Sequence, residues 1–321
     1  MPGEGDLDVT GFTRAVLATG YQGPLSLEIF NDQFRMGSPR MVAADGYRSL
    51  VNLIDSVRRA EPSLRIDAPA IPAPVASSGF EFIEFAADEA EAERLGALLH
   101  TMGFQRAGRH IAKDVTLWRQ GEINIVINTE REGFAHSAYI MHGTSICDLG
   151  LRVADAQATV DRAVALGTPT FSQPIGPGEL FIDDSADLSR VWDVEFKPAQ
   201  DEAQVTPAGL TRIDHIAQTM NYEEMLSWSL FYTSLFEASK SPMVDVIDPD
   251  GIVRSQVIES PDAKLRVTLN GAESHRTFAG RYLADSFGSA VQHAAFETDD
   301  IFATAQALSA NGFAPLKLPE N

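Results

Sequence analysis

The sequence predicts an α+β fold: paired βαβββ modules, preceded by one β/α unit of a larger parallel structure. Three observations carry this. One pattern of short apolar strand, acidic helix start, amphipathic helix and turn occurs four times. The copies keep a fixed internal spacing. A proline-rich stretch separates them from a front segment of different pattern.

Residues 1–59 read as helix, strand, loop, helix. Phe12 to Thr19 has helical spacing, and Gly20 to Gly23 make a turn. Leu25, Leu27, Ile29 and Phe30 form a short apolar strand with Glu28 near its end. A loop with Asn31, Asp32 and Arg35 follows, then a helix from about Ala43 to Arg59. One strand between two helices cannot cover both its faces, so this unit belongs to a larger parallel assembly. Residues 60–78 hold Pro62, Pro69, Pro72 and Pro74 among small residues and read as a linker.

The repeats are FIEFAADEAEAERLGALLHTMGF, ICDLGLRVADAQATVDRAVALGT, IDHIAQTMNYEEMLSWSLFYTSLFE and VQHAAFETDDIFATAQALSANGF. Acidic residues in each first helical turn complement the helix dipole. Glu84 to Gly103, Asp148 to Gly167 and His293 to Gly312 each span 19 positions, and the third copy stretches to 21 at Phe236. VTLWRQGEINIVINT and RSQVIESPDAKLRVTLN read as hairpins turning at Gly121 and at Pro261–Asp262. The expectation is an eight-stranded pair of units over 79–200 and a second pair over 209–321 that stops at Asn321, before its last strands.

With 45 acidic against 25 basic residues the net charge is −20, which argues against nucleic acid and against an anionic membrane surface. The single cysteine, Cys147, allows no internal disulfide, and no apolar run reaches the roughly 20 residues of a membrane span. No signal-peptide pattern opens the chain, so a cytoplasmic location is expected. A small-molecule substrate is the expected partner, and a homo-oligomer is compatible with the composition.

Glu84, Asp148, His215 and His293 occupy the third position of the four repeat strands. Alternate strand residues share a face, and paired units set their first strands side by side, so His215 and His293 are expected to converge. Two histidines and a carboxylate with open positions suit non-haem Fe(II). In the first pair, Glu84, Asp148 and Glu195 (in VWDVEFKP) are expected to cluster. They would hold a hard cation such as Mg2+ or Ca2+, or, the favoured reading, remain a solvated, proton-sharing relic. His100, His110, His136, His142 and His275 have no repeat partner and read as surface or core residues. Cys147 reads as packing.

On IDHIA, GIVRSQVIESPDAKLRVTLN and VQHAAFETDDI, residues 79–321 resemble 4-hydroxyphenylpyruvate dioxygenase and its relatives, of the vicinal-oxygen-chelate (glyoxalase/dioxygenase-like) fold. The resemblance implies that His215 and His293 bind iron, that a glutamate on a last strand is the third ligand, and that the iron chelates a 2-oxoacid and O2. It implies substrate-lining positions at Ser255, Gln256, Asn270 and Gln292. Thr268 replaces the proline usual before the Leu-Asn pair, and the chain ends at LPEN, ahead of the strands that bear the glutamate. GPLSLEIFNDQFR resembles the closing strand of a sugar-phosphate isomerase-like TIM barrel, as in two-part bacterial 3-dehydroshikimate dehydratases that carry a dioxygenase-like module behind the barrel. There a glutamate matching Glu28 binds Mg or a similar divalent ion.

The resulting expectation is a fragment, truncated at both ends, of a metal-dependent fusion enzyme: a dioxygenase-like module behind a barrel that converts 3-dehydroshikimate to protocatechuate. The alternatives are an active 2-oxoacid dioxygenase of the 4-hydroxyphenylpyruvate type and a non-catalytic metal-binding structural or regulatory module. The fragment alone is expected to be inactive.

Overall fold

The computed structural model describes residues 1–31, 37–171, 189–199 and 205–316. In the front segment, α1 (Val9–Ala18) and α2 (Pro39–Ala60) bracket an extended stretch. Helix α2 begins a turn earlier than its apolar spacing suggests. Ser38 precedes Pro39, whose fixed φ and missing N–H suit a first helical turn. The strand expected over Leu25–Phe30 is not formed. Leu27 and Ile29 lie against Val42, Gly46 and Tyr47 of α2, while Ser26, Glu28 and Phe30 face solvent. The alternation survives, but without neighbouring strands there is no ladder to join. Asp32 and Arg35 of the expected loop lie outside the described residues.

The proline-rich linker is tied down along its length. Arg58 donates to the carbonyls of Ala68 and Pro69, and Val75 exchanges backbone hydrogen bonds with Leu235 and Glu237. A fully buried arginine, Arg162, donates to the carbonyls of Pro72 and Ser234, to Asp55 and to Asn52. The front helix, the linker and both modules meet at this one side chain.

The first module contains β1 (Ser77–Ala86), α3 (Glu89–Thr101), β2 (Gln105–His110), β3 (Val115–Gln120) and β4 (Ile123–Asn128), one complete βαβββ unit. Then come α4 (Gly133–His142), β5 (Ser145–Val153), α5 (Ala156–Ala165), α6 (Ser189–Val194) and β6 (Phe196–Pro198). Among the described residues the sheet has six strands in the order β5-β1-β4-β3-β2-β6. The expected eight strands are therefore not all accounted for. Residues 172–188, where the missing ones would fall, lie outside the described residues, and β6 pairs with β2 at the edge remote from β5.

The second module contains β7 (Leu210–Asn221), α7 (Tyr222–Leu235), β8 (Ser239–Lys240), β9 (Val244–Asp248), β10 (Gly251–Glu259), β11 (Arg266–Ala272), α8 (Phe278–Asp285), β12 (Ala290–Thr298) and α9 (Ile301–Ala310). Its sheet runs β12-β7-β11-β10-β8, with β9 on β10.

The repeat explains itself locally. Asp88, Asp155 and Asp300 cap α3, α5 and α9 by accepting a backbone N–H of the first turn. The glycines aligned by the 19-residue spacing, Gly103, Gly167 and Gly312, all take the left-handed conformation that closes a helix. The core lies between the modules. Ile123, Ile125 and Ile127 of β4 join Ile83 and Phe104 against Ile213, Ile216, Met220, Val267 and Leu269. The opposite face of the first sheet carries Val115, Leu117 and Val126, covered by Trp192 and Phe196.

Candidate metal centre

His215 on β7 and His293 on β12 come together. Their ring centroids are 5.6 Å apart and the rings lie at 79°. The strands are adjacent and antiparallel, with His215 opposite Ala295 and His293 opposite Ala217, so the histidines are diagonal neighbours on one face. This separation is compatible with two imidazole nitrogens each about 2.0–2.2 Å from one ion.

The two rings differ in surroundings. His215 is half-buried, and its Nδ1 lies 2.7 Å from Asp214 Oδ2. Arg266 Nη1 lies 2.9 and 3.1 Å from the two oxygens of Asp214. Burial works to raise the Asp214 carboxyl, but the bond from His215 and the charges of Arg266 and His215 outweigh it and hold the group below the usual carboxylate range. An ionised carboxylate only accepts, so Nδ1 carries a proton, and in the neutral ring Nε2 is the nitrogen left with its lone pair. His293 sits at the rim, open to solvent on one side. Crowding on its other side, and then the neighbouring His215, hold its imidazole below the ordinary value of 6.5, which favours the neutral ligand form.

Strand parity sorts the expected substrate positions. Asn270 pairs with Thr219 and Ser255 with Asn270, in the rows that carry Ala217 and His215, so Ser255 and Asn270 share the histidines' face. Gln256 does not. It is buried on the opposite face, where its Nε2 donates to the Ser241 carbonyl at 2.9 Å and Ser229 of α7 approaches its Oε1. A one-position step along a strand turns a side chain to the other side of the sheet. Gln292 is exposed and unpaired in the β7–β12 ladder, a bulge immediately before His293.

Among the described residues no group of three His, Cys, Asp or Glu side chains is arranged to hold an ion. His215 and His293 thus offer two imidazoles, with no carboxylate completing a group of three among the described residues, as the candidate donor set for a divalent metal. The LPEN tail beyond Leu316 lies outside the described residues. Glu28 is exposed.

In the first module, Glu84 and Asp148 stand opposite each other across β1–β5. Burial raises the Glu84 carboxyl. The bond from Asn128 Nδ2, 2.8 Å away, opposes that rise, and Asp148 adds to it. Burial raises Asp148 as well. Among the described residues Glu195, the third expected member, does not complete an ion-holding group with them. Glu195 Oε2 lies 3.2 Å from His110 Nε2, and His110 Nδ1 accepts from the backbone N–H groups of Ala112 and Lys113. Glu195 therefore clasps the β2–β3 turn. Sequence reasoning missed this because His110 has no repeat partner. Cys147, unpaired between Glu84 and Phe85 of the opposing strand, has its thiol pushed up to about 12 by burial and then by Glu84 and Asp148. An aromatic-walled cavity of about 420 Å3 lies between the modules, lined by Phe80, Leu149, Gln218, Trp228, Tyr232 and Val291. Neither histidine borders it.

The fold and the histidine pair define a vicinal-oxygen-chelate protein of the dioxygenase type. The family description "hydroxyphenylpyruvate dioxygenase, N-terminal" matches residues 72–187. The 4-hydroxyphenylpyruvate dioxygenase of Pseudomonas sp. (strain P.J. 874) is 30% identical over 77% of this chain and 73% of that protein. The chain belongs to the 4-hydroxyphenylpyruvate dioxygenase family. The 3-dehydroshikimate dehydratases of Pseudomonas putida and Pseudomonas aeruginosa are 40% and 38% identical over the whole chain, which covers 53% of each. The chain thus spans about half the length of these curated relatives. A solved xylose isomerase-like TIM barrel/4-hydroxyphenylpyruvate dioxygenase fusion protein superposes with a TM-score of 0.81 at 39% identity, covering 97% of this chain and 52% of that one. A variant of 4-hydroxymandelate synthase from Streptomyces coelicolor, 20% identical with a TM-score of 0.60, shares the fold. Among the described residues no helix is long and apolar enough to cross a membrane.

Proposed function

We propose that the second module is the metal-binding half of a barrel/dioxygenase fusion enzyme and that His215 and His293 hold a divalent ion, Fe(II) in the working protein. The observation that carries this reading is the pair of half-open imidazoles 5.6 Å apart on one sheet face. His215 would bind through Nε2, because Nδ1 is engaged by Asp214. Ser255 and Asn270 would line the space before the ion and orient a small 2-oxoacid through a hydroxyl and an amide. The ion would supply a Lewis acid for the oxoacid and a redox centre for O2. A facial triad also needs a carboxylate. Because none joins the pair among the described residues, the chain by itself is expected to bind metal loosely and to turn over neither 4-hydroxyphenylpyruvate nor 3-dehydroshikimate.

Conversion of 3-dehydroshikimate to protocatechuate belongs, on this reading, to the barrel of the whole protein. Glu28 would contribute there to a site for Mg or a similar divalent ion. The similarity to two dehydratases over the full chain supports it. A non-catalytic metal-binding or regulatory role is the second reading, favoured by the two-ligand donor set. Calorimetric titration of the chain with Co2+ tests the centre. Binding lost in both His215→Ala and His293→Ala supports it, and wild-type protein that takes up no ion removes it. Assays of the whole fusion protein with each substrate, with Fe(II) under O2, then separate oxygenase from regulatory module.

A further inference from the structure

Asp214 precedes His215 in strand β7, and strict alternation would turn the two side chains to opposite faces of the sheet. They nevertheless touch, with 2.7 Å between Asp214 Oδ2 and His215 Nδ1. The ladder explains how. Ile213 pairs with Phe296 and His215 with Ala295, and Asp214 is left without a partner on β12. It is the extra residue of a β-bulge, and a bulge re-aims the side chain it carries.

The carboxylate so placed is held from both sides. Arg266 Nη1 contacts both its oxygens, at 2.9 and 3.1 Å, and Arg212 Nη2 approaches Oδ1 at 3.9 Å. Arg266 is in turn paired with Glu259 at 2.7 Å, and Arg212 with Glu297. The row Glu259, Arg266, Asp214, Arg212, Glu297 crosses β10, β11, β7 and β12, four consecutive strands of one sheet. Its oxygens face only donors, so the group presented to His215 is an acceptor.

We infer that Asp214, set by this bulge and fixed by Arg266, is a positioning residue that holds the His215 ring in the Nδ1–H tautomer with Nε2 turned toward the ion. This rests on the reading of His215 as a metal ligand. Asp214 itself touches neither ion nor substrate. It acts through the imidazole, as carboxylates behind ligating histidines do, by fixing orientation and raising ligand basicity. Arg266 acts one step further back and prevents the carboxylate from rotating away.

The test uses the full chain and two readouts at one fixed pH. Nitrogen-15 NMR of the metal-free protein reports which ring nitrogen of His215 carries the proton, and Co2+ titration reports affinity. Wild type is expected to show a single tautomer, protonated at Nδ1. Asp214→Ala is expected to show tautomer exchange at His215 and a loss of Co2+ affinity of about 10–100-fold, the size typical of lost partners behind ligands. Asp214→Asn keeps an acceptor oxygen of the same reach. It guards against a folding defect and is expected to retain the wild-type tautomer and lose less affinity. Arg266→Gln is expected to fall between wild type and Asp214→Ala. Wild-type tautomer and affinity in a folded Asp214→Ala protein overturn the inference and leave the metal site standing. Absence of Co2+ uptake by wild type removes the metal site itself, and the inference with it.

Discussion

Arg162 Nη1 lies 3.0 Å from Asp55 Oδ2, and the pair joins α5 of the first module to α2, the helix before the linker, with almost no contact with solvent. Removing one partner of a buried pair strands the other charge. Arg162→Ala is expected to destabilise the chain by about 3–5 kcal/mol in a urea titration. Because Arg162 also holds the Pro72 carbonyl, the variant should be cut within residues 61–74 under limited proteolysis while wild type resists. Equal resistance in both would show that the linker is secured elsewhere.

Glu84 and Asp148 give a pH dependence of definite sign. Both carboxyls are raised in the folded protein. A raised carboxyl binds its proton more tightly folded than unfolded, so its contribution is fully present below the ordinary value, 4.5 for Glu84, and is lost as pH rises through the higher folded value. Glu84→Gln keeps the oxygen that accepts from Asn128 and removes the charge. It should be more stable than wild type at neutral pH, and the difference should vanish below about pH 4.5. Denaturation midpoints of the two proteins from pH 4 to 8 decide it, and parallel profiles would contradict the assignment.

Gly121 turns the β3–β4 hairpin at φ +58° against the start of β7. A Cβ there would lie 2.7 Å from the carbonyl oxygens of Leu210 and Thr211, both main chain. Left-handed backbone alone costs a non-glycine residue about 1–2 kcal/mol. Gly121→Ala should therefore lose at least about 2 kcal/mol in chemical denaturation. A neutral result would mean that the modules slide past each other without penalty.

Gln256 and Asn270 separate stability from ligand handling. Gln256→Ala removes a buried bond to the Ser241 carbonyl and should cost about 1–2 kcal/mol with Co2+ affinity unchanged. Asn270→Ala lies on the histidines' face. It should leave the melting temperature nearly unaltered and weaken binding of a 2-oxoacid to the Co2+-loaded chain. An exchange of these two outcomes would invert the face assignment.

Much of the fold was legible because its signals are local. An aspartate before a helix and a glycine after it mark three of the four copies whatever lies around them, as at Asp88 and Gly103. The pairing of His215 with His293 was legible for the same reason, since equal repeat positions and strand parity are enough. What was hidden depends on the ladder between strands. Asp214 and Gln292 are bulged residues, and no single strand announces a bulge. Strand register differs between the modules too. Glu84 faces Asp148 directly, whereas His215 and His293 are displaced diagonally. Glu195 followed its short strand to the β2 edge and to His110, a long-range pairing with no trace in spacing. The front strand failed for the opposite reason, because its pattern is correct and its neighbours are absent from the described residues.

The tethered linker changes the expected mechanics of the whole. A free proline-rich spacer would let the front helices and the modules tumble separately, each sampling a volume set by spacer length. Here Arg58 fastens Ala68 and Pro69, Arg162 fastens Pro72, and Val75 is laced to Leu235 and Glu237. The segment therefore works as a rigid bracket.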